Sequence, residues 1–257
     1  MYYAGIDIGS ISSDAVIIDK NENIISYNIS PTGANSKSAG EKSFDYALKA
    51  ANLSRDEIKY IVATGYGRIS VPFANKAITE ITCHAKGAYK LFPNTKIIID
   101  IGGQDSKVIK IGEGGKVLDF AMNDKCAAGT GRFLEVMARA LEIPLEEMGH
   151  LSFMSKEEIA ISSMCTVFAE SEVVSLVSRG KPKEDIVNGI NTAICNRILS
   201  MADRLGIEPQ ITMTGGVAKN VGIVKKIEQK IKLQVNISEE PQIAGALGAA
   251  ILALYAK

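Results

Sequence analysis

Two short stretches of this 257-residue sequence carry the residue types that handle phosphate. Gly5-Ile6-Asp7-Ile8-Gly9-Ser10 and Ile98-Ile99-Asp100-Ile101-Gly102-Gly103 superpose at an offset of 93, which pairs Asp7 with Asp100 and Gly9 with Gly102. Glycines let backbone N–H groups approach a phosphate closely, and serine hydroxyls add donors without bulk. The acid at each strand end does different work: it holds Mg²⁺ or its waters, or orients an attacking water. Two such tips facing each other would clamp a Mg²⁺-triphosphate from both sides. One Asp-x-Gly turn is common and means little. Two near-identical copies, joined by a third glycine turn at Met213-Thr-Gly-Gly-Val-Ala-Lys-Asn220, point to nucleotide binding. The P-loop alternative fails, because Gly115-Lys116 is followed by Val117 and residue 110 is Lys110 rather than glycine.

Cysteine and histidine chemistry is sparse. Cys126 and Cys165 both fall at predicted helix N-termini, where the dipole and free N–H groups favour a thiolate or an anionic cluster. Gly129 and Gly131 permit close approach beside Cys126, and Met122 and Met164 place polarizable groups nearby. Cys83 and Cys195 lie inside helical patterns and are expected to be small buried hydrophobes. A Cys126–Cys165 disulfide, disfavoured in a reducing compartment, and an interchain zinc site remain open for the first pair. Only His84 and His150 are available, neither in a recognisable catalytic context, so a Ser-His-Asp or Cys-His hydrolase has few ways to be assembled.

The elements that must position these residues follow from spacing. Each repeat reads as strand, Gly/Ser turn, strand, with Asp14-Ala-Val-Ile-Ile-Asp and Lys107-Val-Ile-Lys-Ile-Gly as the return strands. A Rossmann unit would instead place a helix after the glycines. Helices are predicted over 42–52, 75–92, 131–141, from just after Cys165 to near Gly180, and over 183–205, 220–231 and 244–255. Strands are predicted over 59–64, 116–122 and 210–213. This is an α/β chain with a mixed sheet flanked by helices in each half. The expected division is 1–92, carrying the first hairpin, and 93–257, carrying the second hairpin, the cysteines and the third glycine turn. The last helix is short and rich in small residues, suited to packing back on the N-terminal half.

Composition removes other classes. Lys+Arg 29 balances Asp+Glu 29, so the basic excess of a phosphate-neutralising nucleic-acid binder is missing. With 46% hydrophobic residues the chain can bury a real core. The longest uncharged apolar run, Ala244–Ala256, is too short to span a bilayer, and no basic leader precedes the first strand. A cytoplasmic protein is expected, with no nucleic-acid or membrane partner.

The motifs together resemble a known family. Asp7-Ile-Gly-Ser, Asp100-Ile-Gly-Gly-Gln and Thr214-Gly-Gly-Val are similar to the phosphate-1, phosphate-2 and adenosine motifs of the actin-like ATPase/sugar kinase superfamily. Ile99–Lys107, Asn123–Glu135 and Cys165-Thr-Val-Phe-Ala-Glu-Ser-Glu172 resemble, more narrowly, the 2-hydroxyacyl-CoA dehydratase activators of the BadF/BadG/BcrA/BcrD type, over essentially the whole chain. The resemblance implies duplicated actin-like (ribonuclease H-like) domains and a homodimeric ATPase. Such a protein donates an electron to an (R)-2-hydroxyacyl-CoA dehydratase after reduction by ferredoxin or flavodoxin. It also implies ATP/ADP, Mg²⁺ and one oxygen-sensitive [4Fe–4S] cluster, with Cys126 and Cys165 of two chains supplying the four thiolates. Asp7 and Asp100 are then expected to hold Mg²⁺, partly through water, and Gln104 to orient the nucleophilic water. Gly9, Ser10, Ile11, Ser12, Gly102, Gly103 and Gln104 are expected on the phosphates, and Gly215, Gly216, Lys219, Asn220 and Gln242 on the adenosine side. The alternatives are the ATPase subunit of a benzoyl-CoA reductase-type enzyme and a small-metabolite kinase.

Overall fold

The structure is a computed structural model that describes residues 1–162 and 165–256. The chain forms two compact units. Unit 1 comprises Met1–Ile98, Ile109–Phe120 and the C-terminal stretch from Ser238, and unit 2 comprises Ile99–Val108 and Ala121–Ile237.

Unit 1 opens with an antiparallel meander, β1 (Tyr2–Ile8), β2 (Ser12–Asp19) and β3 (Ile24–Pro31). Then come α1 (Ser36–Ala51), β4 (Ile58–Thr64), the two-residue β5 (Lys76–Ala77) and α2 (Glu80–Leu91). The sheet order is β3-β2-β1-β4-β5, with β4 parallel to both β1 and β5. Alternation sorts its central strands onto two cores. Ala4, Ile6 and Ile8 pack with Phe44, Ala47 and Leu48 of α1, whereas Tyr3, Val16 and Ile18 pack with the last helix, α8 (Ala244–Leu254). Small residues let α8 lie backbone to backbone on α2: a Cβ on Gly248 would sit 1.7 Å from the Cys83 carbonyl oxygen.

The second sheet has the order β10-β9-β6-β7-β8, built from β6 (Ile97–Ile101), β7 (Ser106–Gly112), β8 (Lys116–Asn123), β9 (Ile211–Thr214) and β10 (Val235–Asn236). Unit 2 contributes α3 (Gly131–Leu141), α4 (Met148–Leu151), α5 (Thr166–Ser178), α6 (Lys183–Leu205) and α7 (Val221–Ile231). Phe133, Leu134, Met137 and Leu141 are buried on one face of α3, as their spacing predicts.

A strand, β3, is absent from the sequence reading, and two helix boundaries depart from it. β3 is an edge strand with no clean alternation, and Pro31 ends it. α1 begins at Ser36 because Asn35 caps it, its Oδ1 accepting from the Ser38 amide at 3.0 Å. The helix predicted from residue 75 starts at Glu80. Asn75 instead pairs with β4, donating its amide to the Ile61 carbonyl at 2.9 Å and accepting from the Ile61 amide through Oδ1 at 2.7 Å. Among the described residues no helix is long and apolar enough to cross a membrane.

Candidate functional site

Each unit holds one of the predicted tips. In unit 1, β1 delivers Asp7 to its C-terminal end, where the residue is buried. The turn Gly9–Ser12 closes through the Gly9 amide on the Ser12 carbonyl at 2.8 Å. Thr32 braces that turn: its amide donates to the Ile11 carbonyl and its hydroxyl to the Gly9 carbonyl, both at 2.8 Å. Gly9, Ser10, Ile11 and Ser12 remain partly accessible. Two glycines crowd the carboxylate. A Cβ on Gly65, whose φ of +82° suits glycine, would fall 2.3 Å from Asp7 Oδ1, and one on Gly245 would fall 2.0 Å from Oδ2. His84 Nε2 lies 3.7 Å from Asp7 Oδ2. Asp14 stands directly across the β1–β2 ladder from Asp7.

In unit 2, Asp100 is buried at the end of β6 with both oxygens engaged. Thr214 donates its hydroxyl to Oδ1 at 2.7 Å, and Lys107 Nζ donates to Oδ2 at 3.2 Å. The Gly102 amide donates to the Asp105 carbonyl at 3.0 Å, closing the turn. The α3 N-terminus anchors that turn, since the Gly131 and Arg132 amides donate to the Gly102 and Gly103 carbonyls at 2.9 and 2.7 Å. Gly102 and Gly103 are partly accessible and Gln104 is exposed. β9 then ends in Thr214-Gly215, with Gly215 at φ +84°. A short turn of 3₁₀ helix over Gly216–Lys219 follows, leaving Gly216 and Lys219 exposed. Asn220 caps α7, its Oδ1 accepting from the Gly222 and Ile223 amides at 3.1 Å. Gln242 is in unit 1, where its Nε2 donates to Ser12 Oγ at 2.9 Å, whereas Gly215–Asn220 belong to unit 2.

Both predicted ligand cysteines lie in unit 2. Cys165 is exposed and is the N-cap residue of α5. Cys126 is partly buried but does not sit at a helix N-terminus, contrary to the sequence expectation. Gly129 takes φ +82° and Thr130 is extended, so α3 cannot begin before Gly131. Cys126 instead rides on the preceding loop, where Asn123 Nδ2 donates to its carbonyl at 2.7 Å and Arg197 donates to Asn123 Oδ1 at 3.2 Å. Met122 is exposed on β8, and Met164 lies outside the described residues. Cys83 and Cys195 are buried, which pushes their thiols up to about 12 and about 11. Neither offers a thiolate near neutral pH. Among the described residues no group of three or more His, Cys, Asp and Glu side chains converges to hold a metal ion.

Sequence reasoning missed Thr32, His84, Gly65, Gly245, Asp105 and Lys107. Two of these carry a legible signal. Thr64-Gly65 and Thr214-Gly215 are the same strand ending beside the two acids, and Lys107 takes the place of Asp14 under the 93-residue offset.

Comparison with known proteins places this geometry. The chain is 47% identical over 256 residues to an activator of lactoyl-CoA dehydratase from Anaerotignum propionicum, covering 100% of this chain and 98% of that one. The crystal structure of the Acidaminococcus fermentans (R)-2-hydroxyglutaryl-CoA dehydratase component A superposes with a TM-score of 0.95 at 42% identity, covering 99% and 98% of the two chains. The activator of the 2-hydroxyisocaproyl-CoA dehydratase from Clostridium difficile, solved with bound ADPNP, gives a TM-score of 0.93 at 45% identity, covering 99% and 94%. The two mixed five-stranded sheets flanked by helices are of the actin-like ATPase/sugar kinase type. The BadF/BadG/BcrA/BcrD ATPase family model matches residues 4–253, and the chain belongs to that family.

Proposed function

We propose that this protein is a homodimeric ATPase that activates a 2-hydroxyacyl-CoA dehydratase by ATP-dependent donation of one electron, having been reduced by ferredoxin or flavodoxin. The observation that carries the reading is the sorting of the cysteines: two reachable thiols in the unit that holds the second acid, two sealed in helical cores. That donor set fits a [4Fe–4S] cluster shared by two chains, with Cys126 and Cys165 of each holding it. When bound, the cluster supplies one-electron redox chemistry. The exposed apolar face of α5, which follows its N-cap Cys165 and carries Val167, Phe168, Val174 and Val177, suits a second copy of the chain.

The residues at the two tips perform phosphoryl transfer to water, which is mostly positioning and charge stabilisation. Asp7 and Asp100 hold Mg²⁺ and its waters, and Gln104 orients the attacking water. Ser10, Ser12, Gly102 and Gly103 grip phosphates, and Gly215, Gly216, Lys219 and Asn220 hold the adenosine side. Gln242 acts at the first tip through Ser12.

The test uses anaerobically purified protein with reduced ferredoxin and an inactive 2-hydroxyacyl-CoA dehydratase. Dehydratase activity that appears with ATP and fails to appear with a non-hydrolysable analogue is expected. Protein that carries no iron and passes phosphate from ATP to a small metabolite would establish the kinase reading instead.

A further inference from the structure

We propose that Lys107 is a positioning residue for ATP hydrolysis, fixing the orientation of the Asp100 carboxylate and tying it to the turn that grips phosphate. The proposal rests on the assignment of Asp100 to the hydrolytic site and adds to it a residue that the assignment leaves out.

Lys107 is an unusual lysine. Its side chain is 4% exposed, and its Nζ lies 3.2 Å from Asp100 Oδ2 and 2.7 Å from Asp105 Oδ2. Lysine is almost never buried unless paired, and a buried ammonium without partners gives up its proton. Here two carboxylates face it. Removing one partner alone leaves a buried charge uncompensated, whereas exchanging a whole buried ion cluster for apolar residues of similar volume is often neutral for stability. Fold stability alone is therefore a poor reason for a lysine at this position, and its geometric effect is the better one.

That effect is specific. Thr214 holds Oδ1 of Asp100 and Lys107 holds Oδ2, so the carboxylate has both oxygens pinned from opposite elements, β9 and β7. The same ammonium holds the side chain of Asp105, whose carbonyl accepts from the Gly102 amide. Gly102–Asp105 is the turn expected on the phosphate. Lys107 thus links the carboxylate at the strand end to the turn beyond it, and a shift of one is transmitted to the other.

Comparison between the repeats shows that this arrangement is not a by-product of the hairpin. Under the 93-residue offset Lys107 matches Asp14, which stands opposite Asp7 in the β1–β2 ladder. The first tip therefore sets two carboxylates across one ladder, and the second replaces one of them with an internal cation. The two acids are consequently unequal. Asp100 has a lysine and a threonine hydroxyl fixing its two oxygens from within the chain.

The test is a double-mutant cycle on the full dimer, with steady-state ATP hydrolysis and equilibrium binding of a fluorescent ADP analogue measured separately. Lys107→Met is expected to lower kcat by about 10²-fold, the usual loss for a preorganised electrostatic group. ADP affinity should stay within about twofold, the ordinary error of such comparisons. Because Lys107 acts through Asp100, Lys107→Met with Asp100→Asn should be no slower than the worse single variant. Asp105→Asn removes one anchor at the rim of the site and should lower kcat by roughly 10-fold with the fold intact, a smaller loss of the same kind. Losses that multiply while Asp100→Asn is itself impaired would overturn the proposal and leave the role of Asp100 standing. A wild-type rate for Asp100→Asn would overturn both. Should Lys107→Met fail to fold, an unchanged kcat in folded Asp105→Asn overturns it.

Discussion

Asp7 packs its carboxylate directly against two glycines. Gly65 and Gly245 leave no room for a Cβ beside its two oxygens, and His84 approaches Oδ2. Asp7→Asn keeps that shape and removes the charge. If the carboxylate serves the Mg²⁺-bound nucleotide, kcat should fall by ~10²–10³, as for other preorganised electrostatic groups. Because size is conserved, the unfolding midpoint should move little. Steady-state ATP hydrolysis together with thermal unfolding decides the matter: a wild-type rate removes Asp7 from the site, and a collapsed midpoint makes it a structural residue. His84 illustrates why residue-scale reading from sequence has limits. Nothing around it in the chain marks it, and it reaches Asp7 only because α2 packs its own face, through Cys83 and Ala85, into the core.

At the scale of elements, the legible parts were those with strong local periodicity. The α3 and α6 spans follow the apolar spacing from start to finish, because long amphipathic helices state their own limits. The duplicated hairpins were legible because duplication repeats residues. β3 and β5 were not, since edge strands gain order from neighbours instead of from their own pattern. The placement of Cys126 failed for a related reason: α3 begins only at Gly131, whose amide, with that of Arg132, is committed to carbonyls 29 residues away in sequence, those of Gly102 and Gly103, which leaves Cys126 on the preceding loop. Lys107 stands within a recognisable motif, but only the fold shows that it is buried between two acids. α8 yields the sharpest prediction at this scale. A Cβ on Gly248 meets the Cys83 carbonyl oxygen at 1.7 Å and the Gly87 amide nitrogen at 2.8 Å, both backbone atoms that cannot yield cheaply. Gly248→Ala should therefore destabilise the protein by roughly 3 kcal/mol, at the upper end for overpacking, despite the better helix propensity of alanine. Urea unfolding measures this, and an unchanged midpoint would mean that α8 does not pack on α2 as described.

For the whole molecule, the proposed cluster needs four cysteine ligands, and each chain keeps two cysteines, Cys126 and Cys165, out of its buried core. Cys126 and Cys165 belong to one unit, one on a loop braced by Asn123 and Arg197, the other on the first residue of the α5 cap. An isologous dimer places equivalent residues about one axis, so either substitution removes two ligands at once. Cys126→Ser and Cys165→Ser should each lose essentially all iron from anaerobically purified protein. Cys83→Ser and Cys195→Ser should retain it, because those thiols are buried and held protonated at neutral pH. The α5 face, if it meets a second copy as proposed, supplies an independent handle on the same assembly. Val174 is 52% exposed and two turns along the helix from Val167, which is 65% exposed, so Val174→Asp adds a charge to an apolar face without disturbing the core beneath it. With all four cysteines intact, that variant should shift toward monomer in sedimentation and lose iron in proportion, since a monomer offers only half the ligands. A cluster held within one chain would survive monomerisation. Iron retained by monomeric Val174→Asp, or equal iron in all four cysteine variants, therefore excludes a cluster that bridges two chains, while dimer loss and iron loss in step establish it.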